Sequence, residues 1–217
     1  MKIDGKEIAQ KILDDLKKRV KKLKEKNIIP HLHIMTLTTD SSSQAYVGQK
    51  KLKGGEIGAK ITVENLSPNT KTEELLGKIS KLNNDQGVHG IIIQRPIPQH
   101  IDESLIANSI NPKKDVDGFH PQSKFSSPIG SAVIEILREV YINKNNDLDF
   151  EKWLKSKNIT VVGRGVTAGS PIIKTLVKIG VKPLTAASQT GNREEILKNS
   201  DIVISAVGKP SILKKSD

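Results

Sequence analysis

The stretch Val88-His-Gly-Ile-Ile-Ile-Gln94-Arg-Pro-Ile-Pro98 limits what this chain can fold into more than any other. A run of β-formers without polar alternation has no face to offer water, so it reads as a strand covered on both sides. Such cover comes from a mostly parallel sheet with helices packed against each face, an α/β architecture. The two prolines then end the strand, because proline cannot donate to a ladder. Gln94 is left at the carboxyl end of a central strand, where open α/β sheets gather their ligands. A mere strand-end hydrogen bond is the plainer role for that amide.

The remaining segments supply the other layers. Ile8, Ile12, Leu16, Val20 and Leu23 recur at helical spacing and predict a long amphipathic helix with that stripe packed inward. Residues 31–38 and 59–66 read as strands. Residues 72–83 read as a helix capped by Thr70 or Thr72, residues 101–109 as another, and Ser127 caps a further one through Val140. The polar, aperiodic segment 143–148 is taken as a linker and domain boundary. Beyond it, strands at 158–162, 184–187 and 201–208 alternate with helices at 170–179 and 193–199, a βαβαβ pattern.

At 217 residues the chain can form one large or two small domains. No run of 18 apolar residues and no charged-then-apolar leader is present, so neither a membrane span nor a signal peptide is expected, and the cytoplasm is. The absence of cysteine excludes disulfides, thiolate chemistry and cysteine metal sites. A net charge of +11 admits nucleic acid, a membrane surface or anionic small ligands as partners. Much of that charge lies between Lys17 and Lys26 on a solvated helix face. Aromatic residues, at 3%, are not interleaved with it, which disfavours a nucleic-acid surface.

Three groups of residues carry candidate chemistry. Tyr46 and Lys50, four apart in Ser43-Gln-Ala-Tyr46-Val-Gly-Gln-Lys50, share one face of a helix started by Ser41 to Ser43. Their side chains titrate at roughly 10 and 10.4 in water, and burial or a second donor can bring a lysine into range for proton transfer. Packed Tyr46 with solvated Lys50 is the ordinary alternative. The turn Lys113-Lys-Asp115-Val-Asp117-Gly-Phe-His120 carries two carboxylates and an imidazole; Asx turns are one reading, and the stretch is too local for a metal shell. His31 and His33 share a strand face without an evident acidic partner.

The third group is Gly163-Arg164-Gly165-Val-Thr-Ala-Gly169, a glycine loop between strand and helix, with Pro171 in the first helical turn. Backbone amides at such a helix start favour a pyrophosphate. No carboxylate follows the second strand, where one would hold the ribose hydroxyls of NAD. Arg164 and Arg193 are near, which favours NADP and leaves NAD as the alternative.

Taken in order, Ile3-Asp-Gly-Lys, Tyr46-Val-x-x-Lys50, Gly90-Ile-Ile-Ile-Gln94-x-Pro-x-Pro98, Lys114-Asp-Val-Asp-Gly-Phe-His-Pro121, Gly163-Arg164 with Gly169-x-Pro171, and Asp201-Ile-Val-Ile-Ser-Ala-Val-Gly-Lys-Pro210 resemble the bifunctional methylenetetrahydrofolate dehydrogenase/methenyltetrahydrofolate cyclohydrolase family. The resemblance runs over nearly the whole chain. It implies a folate-binding catalytic domain at 1–142 and a Rossmann-like NAD(P)-binding domain at 143–217. By the family pattern Lys50 is the central catalytic group, Tyr46 stacks on or orients the folate, Gln94 holds and tunes Lys50, and Asp117 anchors the pterin. Gly163, Arg164, Gly165, Gly169, Pro171 and Ser188 contact the NADP, and no metal is required. Tetrahydrofolate derivatives are the implied ligands, their glutamate tail suiting the basic balance, and a homodimer is the implied assembly. Departures from the pattern are Gly165 for a serine, Ala186 and Ala187 for a cysteine and histidine, and a shortened loop before Ser127-Pro128. Members also continue past the position of Asp217 with a strand, a segment closing over the ligands and a returning helix. An incomplete cofactor sheet is therefore expected, with cyclohydrolase the activity more fully equipped and a noncatalytic binding subunit as the alternative.

Overall fold

The structure is a computed structural model and describes residues 2–143, 149–187, 190–208 and 212–213. It divides into two compact units, residues 4–125 and residues 126–217, the second also taking in residues 1–3.

In the unit of residues 4–125 the elements run α1 (Gly5–Lys24), β1 (His31–Thr36), α2 (Ser41–Glu56), β2 (Lys60–Asn65), α3 (Thr72–Asn84), β3 (Gly90–Gln94) and α4 (Glu103–Ser109). The three strands form a parallel sheet in the order β2-β1-β3, with Thr36 opposite Gln94 at its carboxyl edge. The apolar run of β3 is buried on both faces, as its lack of alternation requires. Ile91 and Ile93 pack with Met35, Leu75, Ile79 and Ile106 on one side, and Ile92 packs with Ile34 and Val47 on the other. Each fully buried isoleucine contributes roughly 1.5–3 kcal/mol.

Several expectations change here. Of the predicted α1 stripe Val20 is buried and Ile8, Leu16 and Leu23 are partly buried, while Ile12 is 43% exposed, so the stripe is covered in part and less completely than expected. The first turn of α3 has no side-chain cap; its cap residue is Lys71, neither of the threonines. Nor do Ser41 to Ser43 cap α2. Asp40 does, accepting from Ser43 N at 2.9 Å and from Ser42 Oγ at 2.7 Å. The Ser42 hydroxyl and then the Ser43 amide hold the Asp40 carboxyl down to about 2, below its usual 3.8. A carboxyl depressed on folding adds stability above its unfolded value, and that stability is lost as pH falls through the folded one. Asp40→Ala is therefore expected to lower the melting temperature by a few degrees at neutral pH. The difference should shrink as pH drops from 4 toward 2, as thermal unfolding at a series of pH values would report.

The second unit runs α5 (Pro128–Ile142), α6 (Phe150–Lys155), β4 (Ile159–Val162), α7 (Gly169–Lys178), β5 (Leu184–Ala186), α8 (Arg193–Lys198) and β6 (Ile202–Ser205). Its described strands form a parallel sheet in the order β5-β4-β6. The expected boundary between residues 142 and 143 is displaced to 125/126, because α5 belongs to the second unit. Leu137 joins Ile159, Val161, Ile172 and Leu176 in one core cluster. The helices approach so closely that a Cβ on Gly130 would overlap the Thr175 hydroxyl of α7. Residues 144–148 of the expected linker lie outside the described residues. Helix α6, which sequence pattern does not reveal, is too short to show a period. It is capped by Asp149, which accepts from Lys152 N at 3.0 Å, and it buries Trp153 and Leu154.

Candidate active site

Parallel pairing of β1 with β3 sets the carboxyl end of β3 beside the start of α2, and two of the expected residues meet there. Lys50 Nζ donates to Gln94 Oε1 at 3.0 Å. The other end of the same amide is also committed, since Gln94 Nε2 donates to the Arg95 carbonyl at 3.0 Å. Buried Ser43 donates its hydroxyl to that carbonyl at 3.1 Å. With its NH₂ engaged, the amide turns its oxygen toward the lysine. Tyr46, one helical turn before Lys50, is 67% exposed. The arrangement is thus the reverse of a packed tyrosine and a solvated lysine: the phenol stands free above the site, and the half-buried amine is held within it.

The two aspartates of the turn separate by role. Asp115 is buried and spent on the backbone, accepting from Gly118 N at 3.2 Å and from His120 N at 2.8 Å. This is the Asx-type bonding its sequence suggested. Asp117 takes no part in that bonding and stands half-buried with the Lys50 and Arg95 cations within electrostatic reach. Burial pushes its carboxyl above the usual carboxylate range, the Lys50 ammonium draws it back, Asp115 pushes it up again, and Arg95 draws it down. His120 Nδ1 accepts from Gln122 N at 2.9 Å, which accounts for that ring locally. His33, expected to lack an acidic partner, has one in Glu64 at 3.2 Å, and Glu64 is also paired with Lys78 at 2.8 Å. That trio is an ion-pair network on the sheet, away from Gln94 at the strand end.

In the second unit the glycine loop joins β4 to α7. Gly163 has φ 102°, a conformation costly for any side chain, and a Cβ there would lie 3.0 Å from the Ala206 carbonyl. A Cβ on Gly169 would overlap the Gly163 carbonyl. The loop therefore folds back on itself with backbone against backbone. Gly165 meets no such limit, and its part is a carbonyl that accepts from Ser170 N at 3.0 Å. Pro171 is buried in the first turn of α7. Arg164 donates to Thr185 Oγ1 of β5 at 2.6 Å. Together with Arg193, Gly208 and Ile212 the loop lines a cleft of about 420 Å³. Arg193 donates from Nη2 to the Ile212 carbonyl at 2.6 Å, while its Nε is buried and has no partner among the described residues. A cleft of this size, with glycines Gly163, Gly165 and Gly208 in its lining and a guanidinium nitrogen without a partner among the described residues, fits a phosphate-bearing nucleotide. Ser188 lies outside the described residues.

Residues 3–117 match the family described as tetrahydrofolate dehydrogenase/cyclohydrolase, catalytic domain, and residues 131–217 match the NAD(P)-binding domain of the same family. The bifunctional protein FolD of Staphylococcus haemolyticus is 35% identical over 223 residues, which cover 99% of this chain and 75% of that protein. Among solved structures, the bifunctional FolD of Campylobacter jejuni superposes with a TM-score of 0.87 at 31% identity, covering 98% of this chain and 76% of the other. The FolD of Trypanosoma brucei, solved with NADP cofactor and an inhibitor, gives 0.84 at 28% identity, covering 97% of this chain and 72% of the other. With both family domains matched in order along one chain, and the paired lysine and glutamine and the glycine loop in place within them, the chain belongs to the tetrahydrofolate dehydrogenase/cyclohydrolase family.

Proposed function

We propose that the chain oxidises 5,10-methylenetetrahydrofolate with NADP and hydrolyses the resulting 5,10-methenyl compound to 10-formyltetrahydrofolate. The observation that carries this reading is the 3.0 Å bond between Lys50 Nζ and Gln94 Oε1, with Asp117 in electrostatic reach of the same amine. NADP, when bound, supplies the hydride acceptor for oxidation of the methylene carbon. Gly163, Arg164, Gly165, Gly169 and Pro171 would hold its phosphates at the start of α7, with Arg193 beside them. Ser188 is carried over from the family pattern alone.

The chain's own residues act on the folate and on the proton. Asp117 is the anchor for the pterin's N–H donors, for which a partly desolvated carboxylate is a strong acceptor. Exposed Tyr46 offers an aromatic face and a hydroxyl for orienting the ligand. In the hydrolytic step water adds to the methenyl carbon, one carbon–nitrogen bond breaks, and a proton is released. Lys50 Nζ handles that proton at the end of a bond whose direction Gln94 sets. No metal enters this chemistry.

The proposal extends to a cytoplasmic homodimer that serves purine biosynthesis and binds neither nucleic acid nor membrane. It is supported by the family and by the finding that, among the described residues, no helix is long and apolar enough to cross a membrane. The test is an assay of the purified chain with 5,10-methylenetetrahydrofolate and NADP, and separately with the methenyl compound, with sedimentation of the same sample to report assembly. Turnover of both is expected. Binding of folate and NADP without turnover of either would favour a noncatalytic subunit and sink the enzymatic reading.

A further inference from the structure

Arg95 follows Gln94 at the carboxyl end of β3, and several parts of the site are fastened to it. Its carbonyl takes the hydroxyl of Ser43 from α2 and the amide of Gln94. Its side chain, only 14% exposed, pairs through Nε with Glu103 Oε2 of α4 at 3.2 Å. The guanidinium carbon lies 3.4 Å from the centre of the Phe119 ring. Phe119 is two residues beyond Asp117, across Gly118 with its positive φ of 71°, and Arg95, Asp117 and Phe119 line one recess. A planar guanidinium can lie flat on a ring while its edge meets a carboxylate; a lysine ammonium in its place cannot make both contacts.

We propose that Arg95 is a positioning residue of the folate-side site: clamped between Glu103 and Phe119, it holds the turn that presents Asp117 toward Lys50. The inference rests on the functional reading above. Asp117 is faced by the Lys50 cation of α2, the Arg95 cation after β3 and the Asp115 carboxylate of its own turn, with Glu103 of α4 and His120 beyond them. Arg95 is one of two cations opposing the effect of burial on that carboxyl, so its removal raises the pH at which Asp117 ionises.

The test is the pH dependence of hydrolysis of 5,10-methenyltetrahydrofolate by the parent chain, Arg95→Leu and Arg95→Lys. Arg95→Leu is expected to raise KM about tenfold, the scale of a lost cation–ring contact with its ion pair. It should also move the acid limb of kcat/KM to higher pH. Arg95→Lys keeps the charge and loses the stack, so KM should rise while the limb stays with the parent. An unchanged KM and limb in Arg95→Leu overturns the proposal, as does an equal limb shift in both variants. If Arg95→Leu does not fold, Arg95→Lys decides alone: a raised KM with an unmoved limb supports the proposal, and an unchanged KM overturns it. Absence of turnover in the parent chain counts instead against the functional reading, and the proposal falls with it.

Discussion

Lys50→Ala is expected to reduce turnover of 5,10-methenyltetrahydrofolate by at least about a hundredfold, the scale on which a positioned proton-transfer group contributes. The folded chain should hardly notice the change. Lys50 is half-buried, and among the described residues its bond within the site is to Gln94 Oε1, which water can reach once the amine is gone. Melting should therefore stay close to the parent's, since substitutions outside the packed core cost little. Steady-state kinetics beside thermal unfolding separates the two effects. Near-normal hydrolysis by a folded Lys50→Ala protein would remove Lys50 from the chemistry and leave its bond to Gln94 as packing alone.

The second large effect is expected in the other unit. Gly169→Ala places a methyl group where the Gly163 carbonyl already sits, and Gly163 is itself held against Ala206 and Val207. The Gly163 carbonyl cannot readily swing aside, because Gly163 follows directly on β4 and its N–H donates to the Ala186 carbonyl at 3.0 Å. The loop must open, at a cost of about 1–3 kcal/mol for overpacking, and the amides at the start of α7 lose their aim. NADP affinity should fall at least about a hundredfold and the dehydrogenase reaction with it. Hydrolysis of the methenyl compound should persist, because Lys50, Gln94 and Asp117 all belong to the unit of residues 4–125. Equilibrium binding of NADP together with the two separate assays reports this. Retained NADP affinity would show that the loop is not the cradle.

Much of the site was legible because its signals are local. The i, i+4 spacing of Tyr46 and Lys50 survives as one face of α2, the unalternating isoleucines do form a strand buried on both sides, and the glycines fall at the strand–helix turn. What escaped depends on partners distant in the chain. Nothing in Asp115-Val-Asp117 says which carboxylate is spent on Gly118 and His120 and which faces the lysine. Helix α5 could be assigned to the second unit only through tertiary contacts, those of Leu137 with the core of α7 and of Gly130 with Thr175, forty-five residues apart in the chain. The cap of α2 was misplaced by one residue for a smaller reason: Asp40 and three serines compete for one first turn, and sequence does not rank them.

By itself, then, the amino-acid sequence determined the α/β architecture and, through the resemblance of its ordered motifs, the family, because periodicity, turn chemistry and glycine placement act between near neighbours. Tertiary structure alone decided how the residues of the site are held. The direction of the Gln94 amide follows from a carbonyl it shares with Ser43, fifty-two residues from Arg95 in the chain, and the seating of Phe119 follows from Arg95 and Glu103. Hydrogen bonds and ring contacts of that kind require side chains at fixed distances, and those distances exist only once the parallel sheet has brought α2, β3 and the aspartate turn together.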